Sequence, residues 1–368
     1  MSQIDRITIR GFKSIREIGD FEIRPLNILI GPNGSGKSNL LSIFRMLRAM
    51  AESRFQLFIN DEDGADCLLH KGRKVTDELQ VTVSFDLARY RYNAIVVPTG
   101  GTLAFAAESF TGPAKNSLPA VHSDSPHRHE NKLESALPTL DSVDSAIFPL
   151  KSMREWQIYH FQDASRDSRL RHSTPVRDNL NLHSNGGNLA PVLRLIRERH
   201  PENYRRIVET VCLAAPFFKD FTYRKEIGER MELEWFQDGS TEATPFGPRQ
   251  LSDGTLRFIC LATLLNQPEH LKPNPIFIDE PELGLHPFAL TLLAEMLKSA
   301  SESSQIVVST QSADLVGEFE PEDVVTVSRK SGESKFDRLD EENLQDWLED
   351  YRLGDLWRMS VVGTGPTP

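Results

Sequence analysis

The run Gly31-Pro32-Asn33-Gly34-Ser35-Gly36-Lys37-Ser38 constrains this 368-residue chain more than any other feature. It fits G-x-x-x-x-G-K-[ST] at every fixed position, and its flanks are those the pattern needs. Leu26 to Ile30 is a short apolar strand ending at Gly31. From Asn39 the period changes, with Leu40, Ile43, Phe44, Leu47 and Met50 on one helical face. A buried strand delivers the loop and an amphipathic helix leaves it, so consecutive backbone N–H groups converge on an anion at a helix N-terminus. Glycines at 31, 34 and 36 allow close backbone approach and positive φ. Asn33, Gly34, Ser35, Gly36, Lys37, Ser38 and Asn39 are therefore the expected ATP contacts. Lys37 offsets charge on the β- and γ-phosphates, and the Ser38 hydroxyl ligates Mg²⁺. A plain Gly-rich turn is the competing interpretation, and the strand–helix setting speaks against it.

A second motif agrees. Ile276-Phe277-Ile278-Asp279-Glu280 is a short apolar strand ending in two carboxylates. At the C-terminal edge of a parallel sheet such a pair sits beside the phosphate crevice. Asp279 is expected to hold Mg²⁺, directly or through water. Glu280 points elsewhere and can orient and deprotonate the attacking water. An Asp-Glu pair ahead of Pro281 can also merely start a turn or cap a helix. The distance from Lys37 to Asp279 is 242 residues, far more than a minimal phosphate-loop core needs. Something large is inserted between the two strands.

The rest of the chain supplies that insertion. Residues 4–10 alternate as a strand, Gln80 to Leu87 alternates again, and Thr102 to Phe110 is a candidate neighbour. Residues 111–147 are rich in Ser, Pro, Asn and His and read as a loop. Trp156 to Phe161 looks like a strand, and 188–213 follows a helical pattern. Phe221 to Lys225 and Met231 to Phe236 resemble a hairpin around Gly228. Helices are expected at 256–265 and 287–299, strands at 306–309 and 324–328, and one aromatic helix over 343–357. Strands alternating with helices argue for an α/β fold with a mainly parallel central sheet. No apolar run approaches a membrane span, and three scattered cysteines read as reduced thiols of a cytoplasmic protein. A net charge of −11 means that any DNA contact must come from a local basic face.

Leu251-Ser252-Asp253-Gly254-Thr255 opens the helix 256–265. Ser252 is a good N-cap and Gly254 lets backbone approach, so a second helix N-terminus can face an anion. This pentapeptide resembles the signature motif of ABC-type ATPases. The whole chain resembles their RecF/SMC/OLD branch, in particular its stand-alone bacterial ATPases without a long coiled coil. Ile7-Thr8-Ile9-Arg10-Gly11-Phe12-Lys13-Ser14 is similar to that branch's first strand and turn. Asp279-Glu280-Pro281-Glu282-Leu283-Gly284-Leu285-His286-Pro287 is similar to its acidic motif.

The resemblance implies a P-loop NTPase fold: an ABC-ATPase head with a mainly parallel central sheet, an antiparallel β lobe and a helical insertion. It implies an N-terminal ATPase lobe at 1–110, a polar excursion at 111–150 and a helical and hairpin insertion at 151–245. A C-terminal ATPase lobe at 246–330 and a strand with an aromatic helix at 331–368 complete the chain. It also implies an ATP-dependent homodimer, in which Ser252 and Gly254 of one subunit reach the γ-phosphate held by the other. Gln162 is either the glutamine that touches Mg²⁺ and the attacking water or a solvated loop residue. In Thr310-Gln311-Ser312 the family pattern has histidine at the centre. Gln311 can donate through its amide but carries no charge, so ATP binding survives and hydrolysis slows or waits on a partner.

Weaker signals remain open. His122, His127 and His129 read as a solvated loop rather than a metal site. Arg166, Arg169, Arg171 and Arg177, with Arg194, Arg197, Arg199, Arg205 and Arg206, form basic clusters over 166–206. These either contact double-stranded DNA or are solvated helix faces balanced by glutamates. The aromatic tail is a lid on the core or a docking surface for a protein effector. The C-terminal nuclease domain of OLD-type enzymes is not expected. The function that follows is a Mg-ATP-hydrolysing dimer in DNA repair or defence against foreign DNA. The alternative is a slowly hydrolysing scaffold that regulates an effector such as a nuclease, and a transporter subunit is disfavoured.

Overall fold

The computed structural model describes residues 3–112, 132–138, 147–163, 165, 167–223, 228–239 and 245–363. The histidines at 122, 127 and 129, and Arg166, lie outside them.

A six-stranded sheet holds the centre. Its order is Glu333–Arg338, Val324–Lys330, Leu26–Ile30, Ile306–Thr310, Ile276–Asp279 and Ile158–Tyr159. The first pair is antiparallel and all the others are parallel. Leu26–Ile30 and Ile306–Thr310 are buried at every position, as expected where helices cover both faces of a parallel sheet. Alternate residues feed opposite cores. Leu29, Phe277 and Val307 pack with Leu40, Phe44 and Leu47 of helix Lys37–Ala51. Ile28, Ile278 and Val308 pack with helices Asp253–Asn266 and Pro287–Ser301.

A second, antiparallel sheet runs in the order Ile15–Glu22, Ile4–Phe12, Leu79–Phe85, Tyr90–Thr99, Thr102–Thr111. Ile7 and Ile9, Val81 and Val83, and Tyr92 and Ala94 all point into the core that also takes Phe44. The expected α/β head with a mainly parallel sheet and an antiparallel β lobe is thus present.

Several local expectations are corrected. Of Trp156 to Phe161 only Ile158–Tyr159 pairs as a strand. Trp156 leaves the sheet to pack its ring 5.5 Å from Phe44 and 6.2 Å from Phe277. The helical run 188–213 is two helices, Leu189–Arg199 and Pro201–Ala214. Pro201 lacks an N–H, so it opens a helix rather than continuing one. The expected hairpin divides: Phe218–Thr222 pairs with Glu234–Gln237, while Arg230–Met231 pairs with Thr174–Pro175.

The tail is two short helices, Gln345–Leu348 and Leu353–Arg358. The second closes on the core through Leu353, Leu356 and Trp357. Within the polar excursion, residues 132–138 are anchored rather than loose. The Glu134 carboxylate accepts the N–H groups of Phe55 and Gln56 at 2.9 and 3.0 Å, and Glu108 accepts the Ala136 N–H at 2.7 Å.

Candidate functional site

The parallel register brings the sequence motifs to one edge of the central sheet. Leu26–Ile30 pairs with Ile306–Thr310, and Ile306–Thr310 pairs with Ile276–Asp279. All three strands end on the same side, so the loop at 31–38, the acidic pair and Gln311 leave the sheet together.

Gly34 (φ 72°) and Gly36 (φ 113°) adopt the left-handed backbone the loop requires. Gly31 is glycine for another reason: a Cβ there would stand 2.1 Å from the Val327 carbonyl oxygen of the adjoining strand. Helix Lys37–Ala51 then begins without a side-chain cap, which leaves its first N–H groups for an anion. The Ser35 hydroxyl is buried without a hydrogen-bond partner, and Ser38, Asn33 and Gly34 are exposed. Lys37 is buried, its ammonium donating to the carbonyls of Gly31 and Pro32 at 2.6 and 3.2 Å. Burial lowers its pKa, while the negative charges of Glu280, Asp279 and Glu282 pull the other way. The Asn39 amide donates to Ser14 Oγ at 2.6 Å, tying the helix to the first strand's turn. Next to this lies a polar cleft of about 730 Å³, lined by Lys13, Ser14, Asn39, His70, Lys71 and Arg329.

Glu280 has a left-handed backbone (φ 48°), uncommon for a residue with a Cβ, and its N–H donates to the Ser309 carbonyl at 2.9 Å. Gln162 donates to Glu280 Oε2 at 2.8 Å, and Gln311 donates to Oε1. Two amides from distant segments therefore hold one carboxylate. Asp279 accepts the Ser309 hydroxyl and lies 3.5 Å from the imidazole of His160. Glu282, third in the acidic run, accepts the Gln311 backbone N–H at 2.8 Å, and burial raises its pKa. Among the described residues no group of three or more His, Cys, Asp and Glu gathers as a metal cage. One carboxylate, one hydroxyl and an amide instead suit an ion that shares its shell with phosphates and water, as Mg²⁺ does.

Ser252 and Gly254 stand at the start of helix Asp253–Asn266. Ser252 Oγ accepts the Thr255 N–H at 3.1 Å and caps helix Asp253–Asn266, and both Ser252 and Asp253 are exposed. Two arginines that sequence reasoning did not single out for this role brace the helix from behind. Arg171 is buried and donates to the Pro248 and Leu251 carbonyls at 2.5 and 3.2 Å and to Asp253 at 2.5 Å. Arg257 donates to the carbonyls of Phe161, Gln162 and Leu283 at 3.0, 2.5 and 2.8 Å. Gly254 lies so near Gly284 that a Cβ would meet the Gly284 carbonyl oxygen at 2.2 Å.

Part of the basic clusters is engaged within the chain. Arg171 faces inward, Arg194 pairs with Glu198 at 2.7 Å, and Arg205 lies 4.0 Å from Glu209. Arg197 donates to the Phe221 carbonyl and lies over the rings of Tyr204 and Tyr223. Arg169, Arg177, Arg199 and Arg206 are exposed. No helix among the described residues is long and apolar enough to cross a membrane.

Residues 26–317 match the family described as "AAA domain, putative AbiEii toxin, Type IV TA system". The Old nuclease of Escherichia phage P2 is 24% identical over 373 residues, covering 88% of this chain and 59% of that protein. The chain thus spans little more than half the length of this relative. Among solved structures, the Smc head bound to the C-winged-helix domain of ScpA has a TM-score of 0.61 at 16% identity, covering 94% of this chain and 99% of that one. The Smc head with an extended coiled coil, bound to the ScpA C-terminal domain from Pyrococcus furiosus, gives 0.58 at 14%, covering 95% and 99%. The SMC head domain from Thermotoga maritima gives 0.50 at 15%, covering 92% and 99%.

Proposed function

The chain belongs to this AAA-domain family and carries an ATPase head of the SMC and OLD kind, and from that premise we propose that it binds and hydrolyses Mg-ATP as a nucleotide-gated dimer. The observation that carries hydrolysis is the Glu280 carboxylate, held by Gln162 and Gln311 beside Asp279 and the buried Lys37. Phosphates enter at the uncapped end of helix Lys37–Ala51, and the nucleoside extends into the polar cleft lined by Ser14 and Asn39. Lys37 leaves the loop carbonyls for the β- and γ-oxygens. Glu280 accepts a proton from the attacking water, while the two glutamines hold its carboxylate in place. Ser38 and Asp279, with Gln162, would hold Mg²⁺, which would supply positive charge against the phosphates. Ser252 and Gly254 of a second copy close over the γ-phosphate, a reading supported by the exposed face of the helix that Ser252 caps. Glu280→Gln should slow turnover about 10²–10⁴-fold while leaving ATP affinity within a few fold. Unchanged turnover would remove Glu280 as the base.

We infer a role in DNA repair or in defence against foreign DNA, with an effector protein as partner, a reading supported by the likeness to a phage nuclease and to a family described as a putative toxin. DNA contact through 166–206 falls to Arg169, Arg177, Arg199 and Arg206.

One observation favours a slow scaffold: Gln311, where the resemblance places a histidine, is neutral and engaged with Glu280. Gln311→His should raise the turnover of the isolated protein roughly tenfold or more if that position limits it. Equal rates would leave the glutamine competent as it stands.

A further inference from the structure

The edge strand Ile158–Tyr159 runs parallel to Ile276–Asp279 with Tyr159 opposite Ile278. One residue further, the same register sets His160 beside Asp279, on the same face of the sheet. The side chains meet there, His160 Nδ1 lying 3.5 Å from Asp279 Oδ2. The backbone at His160 is fixed, its N–H donating to the Ser184 carbonyl at 3.0 Å. On the other flank, Ser309 is opposite Asp279 and donates its hydroxyl to Oδ1. One carboxylate oxygen is thus occupied from within the sheet and the other faces an imidazole. Gln162, two residues on, reaches Glu280. The imidazole is 45% exposed and Asp279 15%, so the ring stands at the mouth of the site.

We propose that His160 supplies an imidazole nitrogen to the divalent ion held by Asp279, so that the site accepts Mn²⁺ as well as the Mg²⁺ proposed above and holds Mn²⁺ the more tightly. This rests on the ATP site proposed above and names the ion that site selects. Two donors 3.5 Å apart need to close by only a few tenths of an ångström to share one ion at roughly 2.1–2.3 Å. Mg²⁺ binds oxygen and keeps its water, whereas imidazole suits first-row transition ions. A site of carboxylate, hydroxyl and amide alone has no reason to distinguish them. An imidazole in the shell supplies one.

Pulsed electron paramagnetic resonance of Mn²⁺ bound with ATP to the Glu280→Gln protein tests this without turnover. The expected spectrum carries nitrogen modulation that disappears when His160→Ala is added, which separates the imidazole from nitrogens of the adenine. Competition with Mg²⁺ should show the Mn²⁺ preference falling about tenfold in the same variant. An unchanged far-ultraviolet circular dichroism spectrum and melting temperature of His160→Ala without nucleotide serve as the control for folding. Nitrogen modulation that persists in His160→Ala, or is absent from both proteins, overturns the assignment, as does an unchanged metal preference. Mn-ATP that does not bind the protein overturns the nucleotide site itself, and with it this ligand.

Discussion

Helix Lys37–Ala51 starts with no side-chain cap, and its neighbouring lysine and carboxylates all come from the same chain. Helix Asp253–Asn266 starts at Ser252, which caps it, and is braced from behind by Arg171, Arg257 and the close approach of Gly254 to Gly284. Its front face, Ser252 and Asp253, is exposed. The first end is a pocket that supplies most of its own chemistry. The second is a braced and exposed surface. Rigidity costs side-chain entropy, and an exposed helix cap does not need two arginines to form. Bracing of this kind makes physical sense if the surface must keep its shape for a ligand held elsewhere, which is what a second copy would present.

The difference can be broken at either end. At the first, Lys37→Met should weaken ATP binding about 100-fold, since a charged hydrogen bond to phosphate is lost. The protein without nucleotide should melt no lower, because a buried ammonium is replaced by an apolar chain of similar length. A fall in melting temperature would give Lys37 a structural role beyond the loop carbonyls.

At the second, Arg171→Ala removes donors to two carbonyls and to Asp253. It should cost roughly 2–3 kcal/mol of stability in denaturant titration and weaken ATP-driven association. ATP binding by the isolated subunit should stay within a few fold. Equal loss of binding and association would show that the two helix ends do not act separately.

These two ends were unequally legible in the sequence. The loop, the acidic strand and the Ser252 cap are local patterns, each set within a few residues by backbone chemistry, and the fold brings them where the spacing suggested. Arg171 and Arg257 look like surface charge in sequence because their partners are backbone carbonyls, many of them 77 to 96 residues away. His160 was invisible for a similar reason: only the register of a two-residue edge strand sets it beside Asp279. Some signals were present and passed over. Pro201 marks a helix start inside an apparently continuous pattern, and Tyr90, Tyr92, Ala94 and Val96 alternate as the strand they form. The single helix expected over 343–357 breaks between Leu348 and Leu353, and its second piece sets Gly354 against the Ala313 carbonyl, a contact no local pattern carries.

The smallest effect sharpens the electrostatics of the first end. Burial raises the Glu282 carboxyl above its ordinary 4.5, so the folded chain holds that proton more tightly than the unfolded one. Its contribution to stability is therefore most favourable below pH 4.5 and falls as pH rises toward the raised folded value. Glu282→Gln keeps an oxygen for the Gln311 N–H, and should raise the melting temperature by roughly 1–2 °C at pH 7. The gain should vanish below pH 4.5. A gain that persists in acid would point to packing rather than charge.

The composite site itself is tested most directly by the mass of the Glu280→Gln protein in solution, measured by light scattering with and without Mg-ATP. A monomer that becomes a dimer only with ATP, and fails to do so when Ser252→Arg is added, is the predicted result. A mass that ATP leaves unchanged while the nucleotide is bound would contradict it, and would return Ser252 and Gly254 to the role of an ordinary helix start.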